Sequence, residues 1–139
     1  MLAFTIKTTK LDLSLDLPDR KFWLQVATDA NKEIHKRTVA GKEVEGGSFK
    51  PYSKSYAKQR AEGGRSAKPN LTWSGRMLSS ISAKAGKDYG KLSLTGREGF
   101  KAWANEENGR EWFDLSSKQH DEIIKSISKW MTRKNKLKR

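Results

Sequence analysis

Two apolar periods meet near the start of this chain, and together they dictate what it can fold into. From Leu2 to Leu17 apolar side chains fall on alternate positions, the period of a strand with one buried face; from Asp19 to Lys42 they return every third or fourth position, the period of a helix. A chain that carries both needs a sheet covered by helix. The alternation itself has two phases, with Leu2, Phe4 and Ile6 on even positions and Leu11, Leu13, Leu15 and Leu17 on odd ones. A one-residue slip sends every side chain to the other face, so a turn or bulge is expected near residues 8–10. Pro18 ends strand pairing and suits the first turn of a helix, and the carboxylates of Asp16 and Asp19 suit its positive end. Within the helix, Phe22, Val26, Ala30 and Ile34 make the stripe, Trp23 and Ala27 widen it, and Gly41 stops it.

Beyond Gly41 the chain reads as a long basic loop to about Asn70, broken by a short helical turn in "SKSYAKQRAE". The stretch "GGRSAKPN" reads as a mobile connection, because Ala67 is its one apolar side chain. "LTWSGRMLSSI" places Trp73, Met77 and Ile81 four apart, which predicts a short helix with Thr72 or Ser74 as N-cap. "SAKAGKDYGKLSLTG" predicts a hairpin that turns at "KDYG", with Ala83 and Ala85 on one arm and Leu92 and Leu94 on the other. "REGFKAWANEENG" reads as a short helix or irregular chain. The last helix carries Ile123, Ile127, Trp130 and Met131 on one face, and Ser116 with Gln119 makes a capping box at its start. The expected fold is α+β: one domain over 1–131, a small antiparallel sheet packed by two longer helices, and a basic tail over 132–139.

Charge and residue types then narrow the chemistry. A net charge of +13 over 139 residues attracts nucleic acid, an anionic surface or an acidic protein, and says nothing about fold. Without cysteine there is no disulfide framework and no thiolate ligand or nucleophile. His120, Asp121 and Glu122 have the residue types of a metal site, but consecutive helical side chains diverge and do not converge on one ion. His35 has neither a carboxylate nor a histidine four residues away. No "GxSxG" elbow accompanies the serines, and "GKEVEGG" lacks the phosphate-loop spacing. No apolar run approaches the length of a membrane span. The expectation is a protein without an active site, metal or cofactor, and without a membrane partner.

The segment "GGSFKPYSKSYAKQR" interleaves Phe49, Tyr52 and Tyr56 with Pro51 and a row of cations that includes Lys58 and Arg60. Two readings stand. The rings anchor a contact with another copy or an acidic partner, or they staple the loop to its own core. The middle of the chain is basic while residues 106–122 are net acidic, so copies that present these regions on different sides could join head to tail. Basic stretches interleaved with rings also suit single-stranded nucleic acid. Five of the last seven residues are basic, and Arg133, Lys134, Lys136, Lys138 and Arg139 are candidate phosphate contacts.

Taken in order, "RTVAGKEVEGGSFKPYSKSYAKQR", "NLTWSGRMLSSI" and "GREWFDLSSKQHDEI" resemble the small tail-completion, or virion morphogenesis, proteins of tailed bacteriophages. The matching positions are Gly41 to Ala57, Leu71 to Ile81, and the junction with Arg110, Phe113, Leu115 and Ser116, to which Trp112 adds a ring. The family often has a proline before the arginine, where this chain has Gly109. The resemblance implies an α+β fold, no catalysis, and manufacture in the bacterial cytoplasm for a place in the virion tail or neck. There it implies a ring of copies around the DNA path, beside tail or connector proteins. It implies that the 46–60 segment is an assembly loop ordered by its neighbours. It also makes Phe49, Pro51, Tyr52, Tyr56, Lys58, Arg60, Arg110, Trp112 and Phe113 the interface candidates. The alternative from composition is a sequence-nonspecific nucleic-acid-binding module.

Overall fold

The structure is a computed structural model that describes residues 2–7 and 17–136, with side chains described as far as Lys134. The elements run β1 (Leu2–Lys7), α1 (Arg20–Val39), α2 (Lys54–Glu62), α3 (Arg76–Ser79), β2 (Ser82–Ala85), β3 (Tyr89–Leu94), α4 (Gly96–Glu107) and α5 (Ser117–Lys136). The fold is α+β, with one antiparallel sheet in the order β1-β3-β2. The expected turn near residues 8–10, the second strand phase at Leu11, Leu13 and Leu15, and Asp16 lie outside the described residues. Leu17 is described and is not in a strand.

Residues 90, 92 and 94 of β3 are buried, and β1 pairs Leu2 with Leu94, Phe4 with Leu92 and Ile6 with Gly90. Ala83 and Ala85 of β2 stand opposite Leu92 and Gly90, so the apolar positions of all strands share one face. Thr5, Lys7 and Lys84 on the other face are exposed, the pattern of an antiparallel sheet wet on one side. The hairpin turns one step earlier than its sequence suggested: Gly86 N–H bonds Tyr89 C=O at 2.9 Å, and Tyr89 and Gly90 already belong to β3.

Helix α1 lies across β2 and β3. Asp19 is its N-cap and accepts the Phe22 N–H at 2.9 Å; Pro18 precedes the cap instead of occupying the first turn. The buried stripe is Trp23, Ala27, Ala30, Ile34 and Thr38, while Phe22 and Val26 are half-buried. The reason is close approach. A Cβ on Gly90 would stand 2.7 Å from the Trp23 carbonyl oxygen and 3.2 Å from the Ala27 Cβ, so the helix rests on the strand through its smallest residues. The helix ends as Gly41 predicted: φ is +76° there, Gly41 N–H bonds Thr38 C=O, and Lys42 N–H bonds Arg37 C=O.

Three other readings change. The "LTWSGRMLSSI" helix shrinks to one turn because Gly75, at φ +78°, interrupts it; Gly75 stands at the cap position, and Trp73 is left outside while Met77, Leu78 and Ile81 are buried. Residues 96–107 form a full helix that buries Gly99 and Ala102 and turns Phe100 and Trp103 outward. Helix α5 continues through Lys136, so the first part of the expected tail is helical. Its capping box is present, with Ser116 N–H on Gln119 Oε1 at 2.9 Å and Gln119 N–H on Ser116 Oγ at 3.2 Å. It runs antiparallel to α1: Gln119 meets Arg37 near one end, and Trp130 meets Phe22 at the other.

Candidate functional site

The segment after α1 is held by its own chain. Lys42 and Ser48 form an isolated bridge, Glu43 N–H bonds Gly47 C=O at 2.7 Å, and Val44 N–H bonds Glu111 C=O at 3.0 Å. Glu45 Oε1 accepts both the N–H and the hydroxyl of Ser117, at 2.9 and 3.0 Å. Phe49 is buried in the core. Arg110 then reaches across, its Nε on Lys50 C=O at 3.0 Å and its Nη2 on Pro51 C=O at 3.2 Å. These bonds tie the segment to its own chain.

Arg60 does the same for the next stretch. It sits near the end of α2, a helix capped by Ser53 Oγ on the Tyr56 N–H, and is 1% exposed. Its Nε donates to Ser66 C=O at 2.7 Å, and its Nη2 to Asn70 Oδ1 at 3.0 Å and Thr72 C=O at 2.8 Å. One guanidinium has five N–H groups in a fixed fork, so a single buried side chain serves several loop oxygens. The 63–70 stretch, expected to be mobile, is therefore held by Arg60 at Ser66 and Asn70. Tyr52 adds its hydroxyl, which accepts the Leu71 N–H at 3.1 Å. Leu71 holds φ +54°, a left-handed conformation that non-glycine residues rarely adopt.

Arginines and rings alternate around this centre. The Arg110 guanidinium carbon lies 4.8 Å from the Tyr52 ring centroid, and that of Arg60 lies 5.0 Å from Tyr52 and 5.8 Å from both Tyr56 and Trp73. Arg65 covers Trp73 at 4.1 Å. Tyr56 and Trp73 stack at 6.0 Å with 24° between their planes. The rings pack against their own chain's cations.

Tyr52, Tyr56 and Trp73 line an open groove of about 810 Å³ between the 50–60 and 71–77 segments and α4. Its floor includes Leu71 and Met77, and α4 contributes Glu98, Lys101, Asn105 and Asn108. Lys101 is tied to Glu98 at 3.0 Å. Five cations (Lys50, Arg60, Arg76, Lys101 and Arg110) face one carboxylate, Glu98, so the groove is strongly positive.

The residues singled out in the sequence divide sharply. Phe49, Arg60, Arg110, Trp112 and Phe113 are buried, and Phe4 meets Phe113 edge-on at 5.2 Å, so these support the site from inside. Pro51, Tyr52, Tyr56 and Lys58 reach the surface; the first three line the groove, whereas Lys58 points away into a loose pair with Glu62 at 3.8 Å. Trp73, Arg76 and Lys101 also line the groove and were not singled out. The tryptophan of "TWSGR", just before a glycine and an arginine, was the available signal. Arg133 and Lys134 are exposed on the last turns of α5, with Lys134 Nζ 5.6 Å above Trp130. The Lys136 side chain, Lys138 and Arg139 lie outside the described residues.

A second polar centre joins α1 to α5. Arg37 donates to Gln119 Oε1 at 2.7 Å, to Trp112 C=O at 2.8 Å and to Asp114 C=O. Burial pulls its pKa below the ordinary arginine value, opposed by Asp114, Glu45, Glu106 and Glu33. His35 and His120 are both exposed, and no group of three or more potential metal ligands converges among the described residues. No helix among those residues is long and apolar enough to cross a membrane. No family model, curated protein or solved structure matches this chain.

Proposed function

We propose that the protein is a structural component of a tailed-phage virion, one that completes the tail or joins head to tail as a ring of copies around the DNA path. The observation that supports this reading is convergence. The three stretches that carry the family resemblance are separate in sequence, yet Pro51, Tyr52 and Tyr56 from the first, Trp73, Arg76 and Met77 from the second, and Arg110 from the third line a single groove. A groove braced by buried arginines and lined by aromatic rings suits contact with another macromolecule. The chemistry around it is binding chemistry: cations, rings and amides. In this reading the protein is not an enzyme, its partners are its own copies and adjoining tail or connector proteins, and it resides in the tail or neck.

Electron microscopy of lysates from a phage or prophage lacking this gene tests the reading. Full heads beside separate tails, restored to virions by the supplied protein, is the expected result. Normal virions in normal numbers would remove the assembly role. A sequence-nonspecific nucleic-acid module is the second reading, favoured by the exposed cations Arg133 and Lys134 at the end of α5. It predicts DNA affinity that falls steeply with salt, by about one power of salt concentration per phosphate neutralised.

A further inference from the structure

Helix α4 turns its large side chains the wrong way for a helix in an isolated domain. Phe100 is 66% exposed and Trp103 48%, with ring centroids 5.5 Å apart, while the small Gly99 and Ala102 are buried. Glu107, one turn beyond Trp103, continues the same stripe. Glu107, like Glu111 beyond the end of the helix, is exposed and makes no ion pair among the described residues. This is an aromatic patch with an acidic rim.

The groove is its counterpart. Tyr56 is 36% exposed and Trp73 42%, and Lys50 and Arg76 at the rim are exposed with no ion pair among the described residues. The stripe carries the exposed carboxylate of Glu107, whereas the groove lining holds five cations against one carboxylate. The two patches lie on opposite flanks of the same helix. At 3.6 residues per turn, the stripe centred on Phe100, Trp103 and Glu107 points about 150° away from the groove-lining Glu98, Lys101, Asn105 and Asn108. One copy therefore presents one patch forward and the other backward.

We propose that copies of this chain join head to tail, with the Phe100–Trp103–Glu107 stripe of one copy seated in the cationic aromatic groove of the next. This deepens, and rests on, the reading of the protein as a multi-copy virion component. The contact is heterologous: each copy uses one patch and leaves the other free, so the series closes only where the rotation between copies allows a ring. The overall charge of +13 opposes association at long range, but screening confines that repulsion to about 8 Å at physiological ionic strength. Contacts between rim carboxylates and groove cations fall inside that distance.

The test uses two full-length variants and sedimentation velocity. Phe100→Ala with Trp103→Ala removes the stripe; Lys50→Glu with Arg76→Glu removes the groove charge. All these side chains are exposed, and circular dichroism checks that both variants fold. The wild-type chain should form species larger than a dimer as concentration rises, and each variant alone should remain a monomer. An equimolar mixture should give a heterodimer and nothing larger, because one intact stripe then meets one intact groove. A wild-type chain that stays monomeric to its solubility limit, or a mixture that stays monomeric, overturns the proposal. So does a groove whose charge reversal abolishes binding of a single-stranded oligonucleotide in a chain that never self-associates. Complementation of the gene deletion separates the two levels. Variants that restore virions to a defective deletion sink this contact and leave the virion reading standing. A deletion without phenotype, beside a heterodimer in solution, sinks the virion reading and leaves the contact.

Discussion

Gln119 and Arg37 share one oxygen with the start of a helix: Gln119 Oε1 accepts the Arg37 Nη1 at 2.7 Å and the Ser116 N–H at 2.9 Å. The residue that caps α5 is thus also the one that docks it on α1. The remaining Arg37 bonds go to the carbonyls of Trp112 and Asp114, so the aromatic junction before α5 hangs on the same guanidinium.

Arg37→Lys should cost about 1–3 kcal/mol, because an ammonium is a point donor and cannot reproduce the fork that reaches these oxygens. Urea denaturation measures it, and an unchanged midpoint would show that the bonds are incidental. Burial lowers the Arg37 pKa, so folding disfavours its charged form, and that cost is constant wherever the pH lies far below both folded and unfolded values. Stability should therefore have no slope from this group near neutral pH, and should gain from its deprotonation only in strong alkali.

Ser116→Ala should cost about 0.5–2 kcal/mol, the range of a lost helix cap. Gln119→Ala should cost more, since it removes the Arg37 contact together with the cap. The double variant should fall short of the sum of the two, and a thermal double-mutant cycle reads that coupling. Equal single effects would contradict the double role of Gln119 Oε1, because Ser116→Ala keeps the backbone N–H that shares this oxygen with Arg37.

Arg60 and Lys58 are two residues apart and should behave oppositely. Arg60→Ala leaves the carbonyls of Ser66 and Thr72 without their donor and should cost about 2–4 kcal/mol. Lys58→Glu, on a largely exposed side chain, should change stability by no more than about 0.5 kcal/mol. Chemical denaturation of the two single variants decides, and comparable losses would refute the buried-staple role of Arg60.

Gly90→Ala should destabilise by about 1–3 kcal/mol, because the new methyl meets the Trp23 carbonyl oxygen and cannot be accommodated without moving α1 off the sheet. A melting temperature equal to wild type would mean that helix and strand separate more easily than the geometry indicates.

The elements whose larger apolar side chains point inward were legible in the sequence. Helix α1 with its glycine stop, the capping box of α5, and the Ala83/Leu92 hairpin follow from periodicity and end signals alone. Helix α4 was not, since its large side chains point outward and its buried face is Gly99 and Ala102, which carry no hydropathy signal. The site was legible in half. Its aromatic members stood out, but Arg60 and Arg110 looked like surface cations, because arginine is rarely buried and sequence does not show which carbonyls a loop leaves without partners.

The order β1-β3-β2 has a consequence for how the chain is made. Leu2 pairs with Leu94, so the central strand of the sheet is synthesised 92 residues after the edge strand that completes it. At about 5–20 residues per second, a ribosome leaves Leu2, Phe4 and Ile6 without their partners for roughly 4–18 s. During that interval the first strand is an unpaired apolar edge on a nascent chain, open to a chaperone or to a strand from another polypeptide.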